Sequence, residues 1–170
     1  EDLAGGGKPK PARAAKAAKP KKAAANLEIA AVESKSDWIK RCGKTKSGEQ
    51  RCQIEHLIVD GKQRQVVRFA VMLINEQQTL SVWSPVGLLI PFGVHIKIDK
   101  AESRQLQLVS CDGKSCLAVV GLDKKLLQEL SAGTQIAVIM KDSASGKDLA
   151  VTGSLQGFKA TYASVFKAVN

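Results

Sequence analysis

Residues 79–99, TLSVWSPVGLLIPFGVHIKID, place an uncharged, Pro/Gly-rich connection between two short segments of alternating character. Apolar and polar side chains alternate from Thr79 to Val82 and again from Val94 to Asp99. This period of two predicts two half-buried β-strands. The connection, Pro85 to Gly93, has no charged residue. We therefore expect it either to cross the core or to form an apolar patch on the surface.

Similar alternation recurs along most of the chain. It predicts strands at 38–42, 51–59, 66–74, 106–109, 116–120, 134–141 and 149–155, with a possible edge strand within 27–36. A helix is expected at 123–131, with Asp123 as N-cap and Gly133 as its stop, and a second, amphipathic helix at 157–170. This succession of short strands joined mostly by short turns favours a mainly β fold, an antiparallel β-sandwich with two short helices.

The first 26 residues differ in composition from the rest and carry half of the net charge of +10. They are rich in Lys, Ala and Pro, and the prolines leave segments too short for a stable isolated helix. We expect a disordered N-terminal arm that either binds an acidic surface or serves as a spacer. Its basic residues are Lys8, Lys10, Arg13, Lys16, Lys19, Lys21 and Lys22. Residues 1–35 are accordingly assigned to this arm and a transition, and residues 36–170 to one domain.

The chain opens Glu1-Asp2-Leu3, without a Met or an apolar leader, so we expect that any signal peptide has already been removed. The four cysteines form two local pairs, Cys42 with Cys52 and Cys111 with Cys116. An even number in local pairs favours two disulfides in an oxidising compartment. Free thiols and a zinc site remain the alternatives, although the Cys42–Cys52 spacing is too wide for an ordinary zinc motif.

Motifs of catalysis are not found in this sequence. There is no G-x-S-x-G, phosphate loop, H-E-x-x-H or EF-hand pattern, and neither His56 nor His95 has an evident catalytic or metal partner. We interpret Asp99 as a strand-end turn residue, and Trp38 and Trp83 as core residues. No cofactor and no small-molecule substrate are expected. The apolar connection is a possible contact patch, composed of Val86, Leu88, Leu89, Ile90 and Phe92.

Several spaced residues together resemble the invasion-associated locus B family. They are Trp38-x-x-x-Cys42, Cys52, Pro85-x-Gly87, Pro91-x-Gly93-Val94, Ile98-Asp99, Cys111, Cys116, Leu127-x-x-Leu130-x-x-Gly133 and Ser154-Leu155-x-Gly157-Phe158. The resemblance covers roughly residues 36–168. It departs from the family at Ser115, where a glycine is expected in the turn between the two cysteines.

That family consists of exported alphaproteobacterial proteins with an immunoglobulin-like β-sandwich, some associated with host-cell invasion. The resemblance implies residence in the periplasm or cell envelope, or secretion, two local disulfides and no catalytic residues. The leading hypothesis is a non-catalytic envelope protein that contacts an envelope or host protein and reaches anionic envelope material through its arm. A basic nucleic-acid-binding protein is the first alternative, disfavoured by the lack of aromatic residues among the lysines of the arm. An envelope hydrolase is the second.

Overall fold

The computed structural model describes residues 32–34 and 37–167. In this part of the chain ten β-strands form one antiparallel sheet, accompanied by two short helices. The strands are β1 (Val32–Ser34), β2 (Ile39–Lys44), β3 (Gln50–Asp60), β4 (Gln65–Ile74), β5 (Gln77–Pro85), β6 (Val94–Ile98), β7 (Arg104–Cys111), β8 (Ser115–Gly121), β9 (Gln135–Lys141) and β10 (Asp148–Ser154). The helices are α1 (Lys124–Ala132) and α2 (Phe158–Ala163). The basic arm, residues 1–26, lies outside the described residues.

The strands are arranged in the order β1, β3, β4, β5, β8, β7, β6, β9 and β10, and β2 pairs with β3 in line with β1. β5 lies beside β8 rather than β6, so residues 86–93 carry the chain from one half of the sheet to the other. The hairpin-connected strands β6 to β8, with β5 beside β8, form a Greek key. Such connections are typical of immunoglobulin-like sandwiches. The predicted mainly β, antiparallel sandwich class is confirmed.

Alternate residues of the central strands point into a single core. On β4, Val67, Phe69 and Val71 are fully buried, and this strand is central, as its half-apolar second face predicted. The sheet curls until β10 lies against β3. A Cβ at Gly153 would lie 2.9 Å from Ile58 Cδ1, so the close approach of these strands requires glycine.

Helix α1 forms where the sequence predicted it. The Asp123 carboxylate accepts a hydrogen bond from the backbone N–H of Leu126 at 2.6 Å and caps the helix. Leu126 and Leu130 are buried against the sheet. The second helix is shorter than predicted. Regular α-helix ends at Ala163, and the next backbone N–H groups bond to the carbonyls of residues 160–162 with a mixture of three- and four-residue spacings.

Trp38 joins the start of the domain to its end. Its indole ring is buried and meets Phe158 edge to face, with the ring centroids 4.9 Å apart. The Thr161 hydroxyl donates to the Trp38 carbonyl at 3.0 Å. The prediction of core packing is thus confirmed for Trp38. It is wrong for Trp83, which lies partly exposed on the other face of the sheet beneath the Arg68 guanidinium, 4.4 Å from the ring centroid.

Both local disulfides are formed and each joins directly paired residues of neighbouring strands. Cys42 and Cys52 link β2 to β3, and Cys111 and Cys116 link β7 to β8. The Asp112 carboxylate accepts hydrogen bonds from the backbone N–H groups of Ser115 at 2.8 Å and of Lys114 at 2.7 Å. These two bonds lower the pKa of Asp112. This turn is held by Asp112 and needs no glycine at position 115.

Candidate contact surfaces

The apolar connection, residues 85–93, is divided between core and solvent. Leu88 is buried and forms an isolated β-bridge with Asp142. Leu89 and Phe92 are half-buried. Val86 and Ile90 are exposed, Ile90 to 53% of its full area. Of the predicted contact patch, only Val86 and Ile90 therefore point substantially to solvent, while Leu88 anchors the connection.

The turn after β9 holds this connection in place. The backbone N–H of Leu89 donates to the Lys141 carbonyl at 2.8 Å, and that of Ser143 donates to the Gly87 carbonyl at 2.9 Å. Gly87 and Gly93 have φ angles of 87° and 74°, in the left-handed region that favours glycine. The exposed apolar residues of the connection are thus carried on a fixed backbone.

Asp142 organises the turn beneath the connection. Its side chain is buried and accepts hydrogen bonds from the hydroxyl and the backbone N–H of Ser145, the latter at 2.9 Å. These donors favour the charged form, so they hold the pKa of Asp142 below its usual range. A carboxylate used in this way has a structural role.

The two histidines and Asp99 also have structural surroundings. The buried His56 ring stacks on Trp38 with the centroids 5.4 Å apart. His95 Nε2 lies 2.9 Å from the Phe92 carbonyl oxygen. The Asp99 carboxylate accepts from the backbone N–H groups of Thr134 and Gln135, both at 2.9 Å, in agreement with its interpretation as a turn residue.

A second charged segment lies at the opposite end of β3 from the connection and was missed in the sequence analysis. We call residues 38–53 the basic hairpin, because they hold five basic residues and one acid. Every residue of β2 is exposed. The basic residues are Lys40, Arg41, Lys44, Lys46 and Arg51. The sequence shows this excess of basic residues before and between Cys42 and Cys52, but only the longer run of lysines in the arm was interpreted as a charged surface.

A cleft of about 400 Å³ opens beside the Cys42–Cys52 bridge. Arg41, Lys44 and Arg51 line it, and Met72 and Leu73 supply an apolar wall. Arg51 faces Gly43 across the hairpin, where a Cβ would meet no atom within 4 Å, so this position leaves the cleft open. Arg51 is held by Glu49 and Glu76, at 3.3 Å and 3.1 Å, and these carboxylates raise its pKa further.

The outer face of the sheet next to the hairpin carries a buried carboxylate between two arginines. Glu55 is 4% exposed and accepts from Arg41 Nε at 2.8 Å and from Arg68 Nη2. Arg68 in turn covers the Trp83 ring. This row of side chains fixes the base of the basic hairpin to β4 and β5.

Across 32–34 and 37–167, no three His, Cys, Asp or Glu residues cluster in a way that would hold a metal ion. In that part of the chain, no helix is both long and apolar enough to cross a membrane.

Comparison with known proteins gives a consistent assignment. Residues 38–165 match the family model described as invasion associated locus B (IalB) protein. Invasion protein B homologs of Brucella abortus, strain 2308 and biovar 1 strain 9-941, are each 34% identical over 76 residues. That segment is 45% of this chain and 44% of each relative, so less than half of their length is matched.

Among solved structures, the crystal structure of invasion associated protein B from Bartonella henselae superimposes with a TM-score of 0.67. The two chains are 22% identical, and the match covers 77% of this chain and 92% of the other, which establishes a shared fold. The predicted family resemblance is confirmed. From its family match and its fold, this chain belongs to the invasion associated locus B family.

Proposed function

We propose that the protein is exported, resides in the periplasm or cell envelope, and acts without catalysis, through surface contacts that contribute to host-cell invasion. The proposal that the protein is exported rests on its two local disulfides, Cys42–Cys52 and Cys111–Cys116. Disulfides persist in oxidising compartments and are rare in the cytosol. The link to invasion rests on the printed names of the family and of the Brucella abortus relatives.

Thiol counting on protein recovered from its native cells, denatured without reductant, tests the export proposal. Two intact bridges give no free thiol per chain. Four reactive thiols per chain would contradict residence in an oxidising compartment. Fractionation of the same cells, with a cytosolic enzyme followed as the control, locates the protein directly.

The exposed part of the apolar connection is the proposed contact with an envelope or host protein. Val86 and Ile90 project from a backbone that is hydrogen-bonded to the turn after β9, so they contact a partner with little loss of conformational freedom. Exposed apolar residues on a rigid support are the kind that bind other proteins.

Host-cell entry by a strain lacking the protein, complemented with variants, tests this contact. Ile90→Ser is expected to reduce entry, because it removes the most exposed apolar side chain of the connection. Val109→Ser is the matched control, since Val109 is 55% exposed and lies outside the connection. Equal entry by both variants would remove the connection from the proposal, provided that both proteins accumulate to the wild-type level.

The basic arm is proposed to add electrostatic attraction to anionic envelope material. Its seven basic residues lie outside the described residues, so this proposal rests on the sequence alone. Deletion of residues 1–26 is expected to reduce salt-sensitive retention in the envelope fraction. Unchanged retention would leave the arm as a spacer.

A further inference from the structure

Two unusual surface features meet at one end of the sheet. The first is the turn of the basic hairpin, and the second is the turn between β4 and β5, residues 73–76. The two are joined by Arg51 Nη2, which lies 3.1 Å from Glu76 Oε1. We call this end, residues 38–53 together with residues 73–76, the tip.

The tip carries positive charge that the protein itself does not neutralise. Within the described ranges, Lys40, Lys44 and Lys46 form no ion pair and no side-chain hydrogen bond, whereas Arg51 is held by two acids. Arg41 is paired with Glu55 and Arg51 with Glu49 and Glu76, so the charge left without a partner is that of the three lysines. The net positive charge is therefore available to an anionic partner.

The tip also exposes apolar side chains beside these charges. Leu73 and Ile74 are exposed to 38% and 37%, and Leu73 forms part of the wall of the cleft together with Met72. They occupy the end of β4, where the strand turns away from the core. Cations around exposed aliphatic side chains are the combination found in segments that rest on membrane surfaces.

We propose that the tip is a docking site for the anionic headgroups of a phospholipid surface. In this arrangement Lys44, which lines the cleft, and Lys46 are attracted to the lipid phosphates, while Arg41 and Arg51, each paired with carboxylates, hold the hairpin in shape. Leu73 and Ile74 contact the boundary between headgroups and acyl chains. The proposal deepens the proposed function, since it rests on residence at the cell envelope.

Lipid is favoured over nucleic acid by the walls of the cleft. The described residues that line it include no aromatic ring on which a base would stack, and its wall is aliphatic. The Cys42–Cys52 bridge holds the cationic strand and its partner together before any ligand arrives. Such preorganisation reduces the entropy lost on binding.

Sedimentation with vesicles tests the electrostatic part of the proposal on the full-length chain. The probe is phosphatidylglycerol mixed with phosphatidylcholine, compared with phosphatidylcholine alone. The double variant Lys44→Gln/Lys46→Gln is expected to bind anionic vesicles less tightly by about fivefold per lysine removed. The matched control, Lys62→Gln/Lys114→Gln, removes the same charge from exposed positions in turns at the opposite end of the sheet.

Ile74→Ser tests the apolar part, with Val109→Ser as its control, since Val109 is exposed and lies near the end of β7, outside the tip and outside the apolar connection. We expect Ile74→Ser to weaken vesicle binding several-fold and Val109→Ser to leave it unchanged. Thermal unfolding of all variants establishes that they remain folded. A loss of vesicle binding by the tip variants only, together with weaker binding at high salt, supports the proposal.

Equal losses for the two lysine pairs would overturn it, because they would show attraction to net charge alone. Wild-type binding that is no stronger to anionic than to neutral vesicles would also overturn it. So would tip variants that lose affinity for duplex DNA but keep their affinity for vesicles. These vesicle-binding results are independent of the effect of Ile90→Ser on host-cell entry. Failure of the lipid-docking proposal can therefore be distinguished from failure of the proposed protein contact.

Discussion

The indole Nε1 of Trp38 donates a hydrogen bond to the main-chain carbonyl of Ser154 at 3.0 Å, across 116 residues of sequence. The bond joins the segment before β2 to the end of β10, and Trp38 also packs against α2. Three distant parts of the chain thus depend on one side chain.

Trp38→Ala is expected to lower the free energy of unfolding by about 3–5 kcal/mol, because it empties a buried volume. Trp38→Phe retains much of the packing and is expected to cost less, with about 1 kcal/mol of the loss due to the missing hydrogen bond. Urea unfolding followed by circular dichroism measures both. A Trp38→Ala protein as stable as the wild type would contradict the described packing.

The two arginines that bind Glu55 are expected to differ in their contribution to stability. The Arg41 side chain is 60% exposed and that of Arg68 is 29% exposed. Arg41→Ala should therefore cost less than about 1 kcal/mol, as for surface ion pairs. Arg68→Ala should cost about 2 kcal/mol, because it leaves a buried carboxylate with a weaker partner and uncovers Trp83. Equal losses in chemical denaturation would show that solvent screens both pairs alike.

Gly133 lies where no side chain fits. A Cβ there would be 2.6 Å from Ile98 Cγ2 and 2.7 Å from the Glu129 carbonyl oxygen. Gly133→Ala is expected to destabilise the protein by about 1–3 kcal/mol through this overlap. Gly121→Ala is the control, since its Cβ would meet nothing within 4 Å. We expect the control to change stability by less than about 1 kcal/mol in thermal unfolding. The reverse ranking would contradict the close packing after α1.

The two disulfides close short loops, so their removal should cost similar amounts. Their sequence separations are 10 and 5 residues. The chain-entropy model gives about 2–3 kcal/mol for Cys42→Ser/Cys52→Ser and slightly less for Cys111→Ser/Cys116→Ser. Denaturation of each double variant, with and without reductant, measures the effect. Reductant should destabilise each variant only through its remaining bridge.

Asp142 should make stability depend on pH in acid. Because the pKa of Asp142 is lower in the folded protein than in the unfolded chain, its contribution is present at neutral pH. It is lost as the pH falls below about 4, the ordinary value for an aspartate, and through the lower folded pKa.

Asp142→Asn should therefore reduce the acid sensitivity of the melting temperature relative to the wild type, and the difference between the two curves is the readout. Other carboxylates with lowered pKa values remain in both proteins. They are Asp60, Asp112 and Asp123. Parallel curves for the two proteins would show that Asp142 titrates alike in both states.

The elements that the sequence predicted well are those defined by local chemistry. The alternation of Val67, Phe69 and Val71 identified β4, and Asp123 marked the start of α1. Strand order was beyond such reasoning, because alternation indicates which face of a strand is buried and not which strand lies beside it. The position of β5 beside β8 depends on contacts between distant residues.

The candidate surfaces were predicted less completely for a related reason. Composition identified residues 85–93 as apolar, but only the turn after β9 determines that Leu88 is buried and Ile90 is exposed. The sequence does not show that the lysines of the basic hairpin lie together on the surface. That follows from the structure, in which every residue of β2 is exposed. Trp83 was assigned to the core because an indole is usually buried, and Arg68 covers it instead.

The exposed position of β2 has a consequence for self-association. Among the described residues β2 pairs only with β3, so its other side offers unpaired backbone groups, the usual route by which sheets join edge to edge. A second copy added along this edge would bring Lys40 and Lys44 against like charges, which is unfavourable. The same lysines that leave the hairpin open to an anion therefore keep individual molecules from extending one another's sheets.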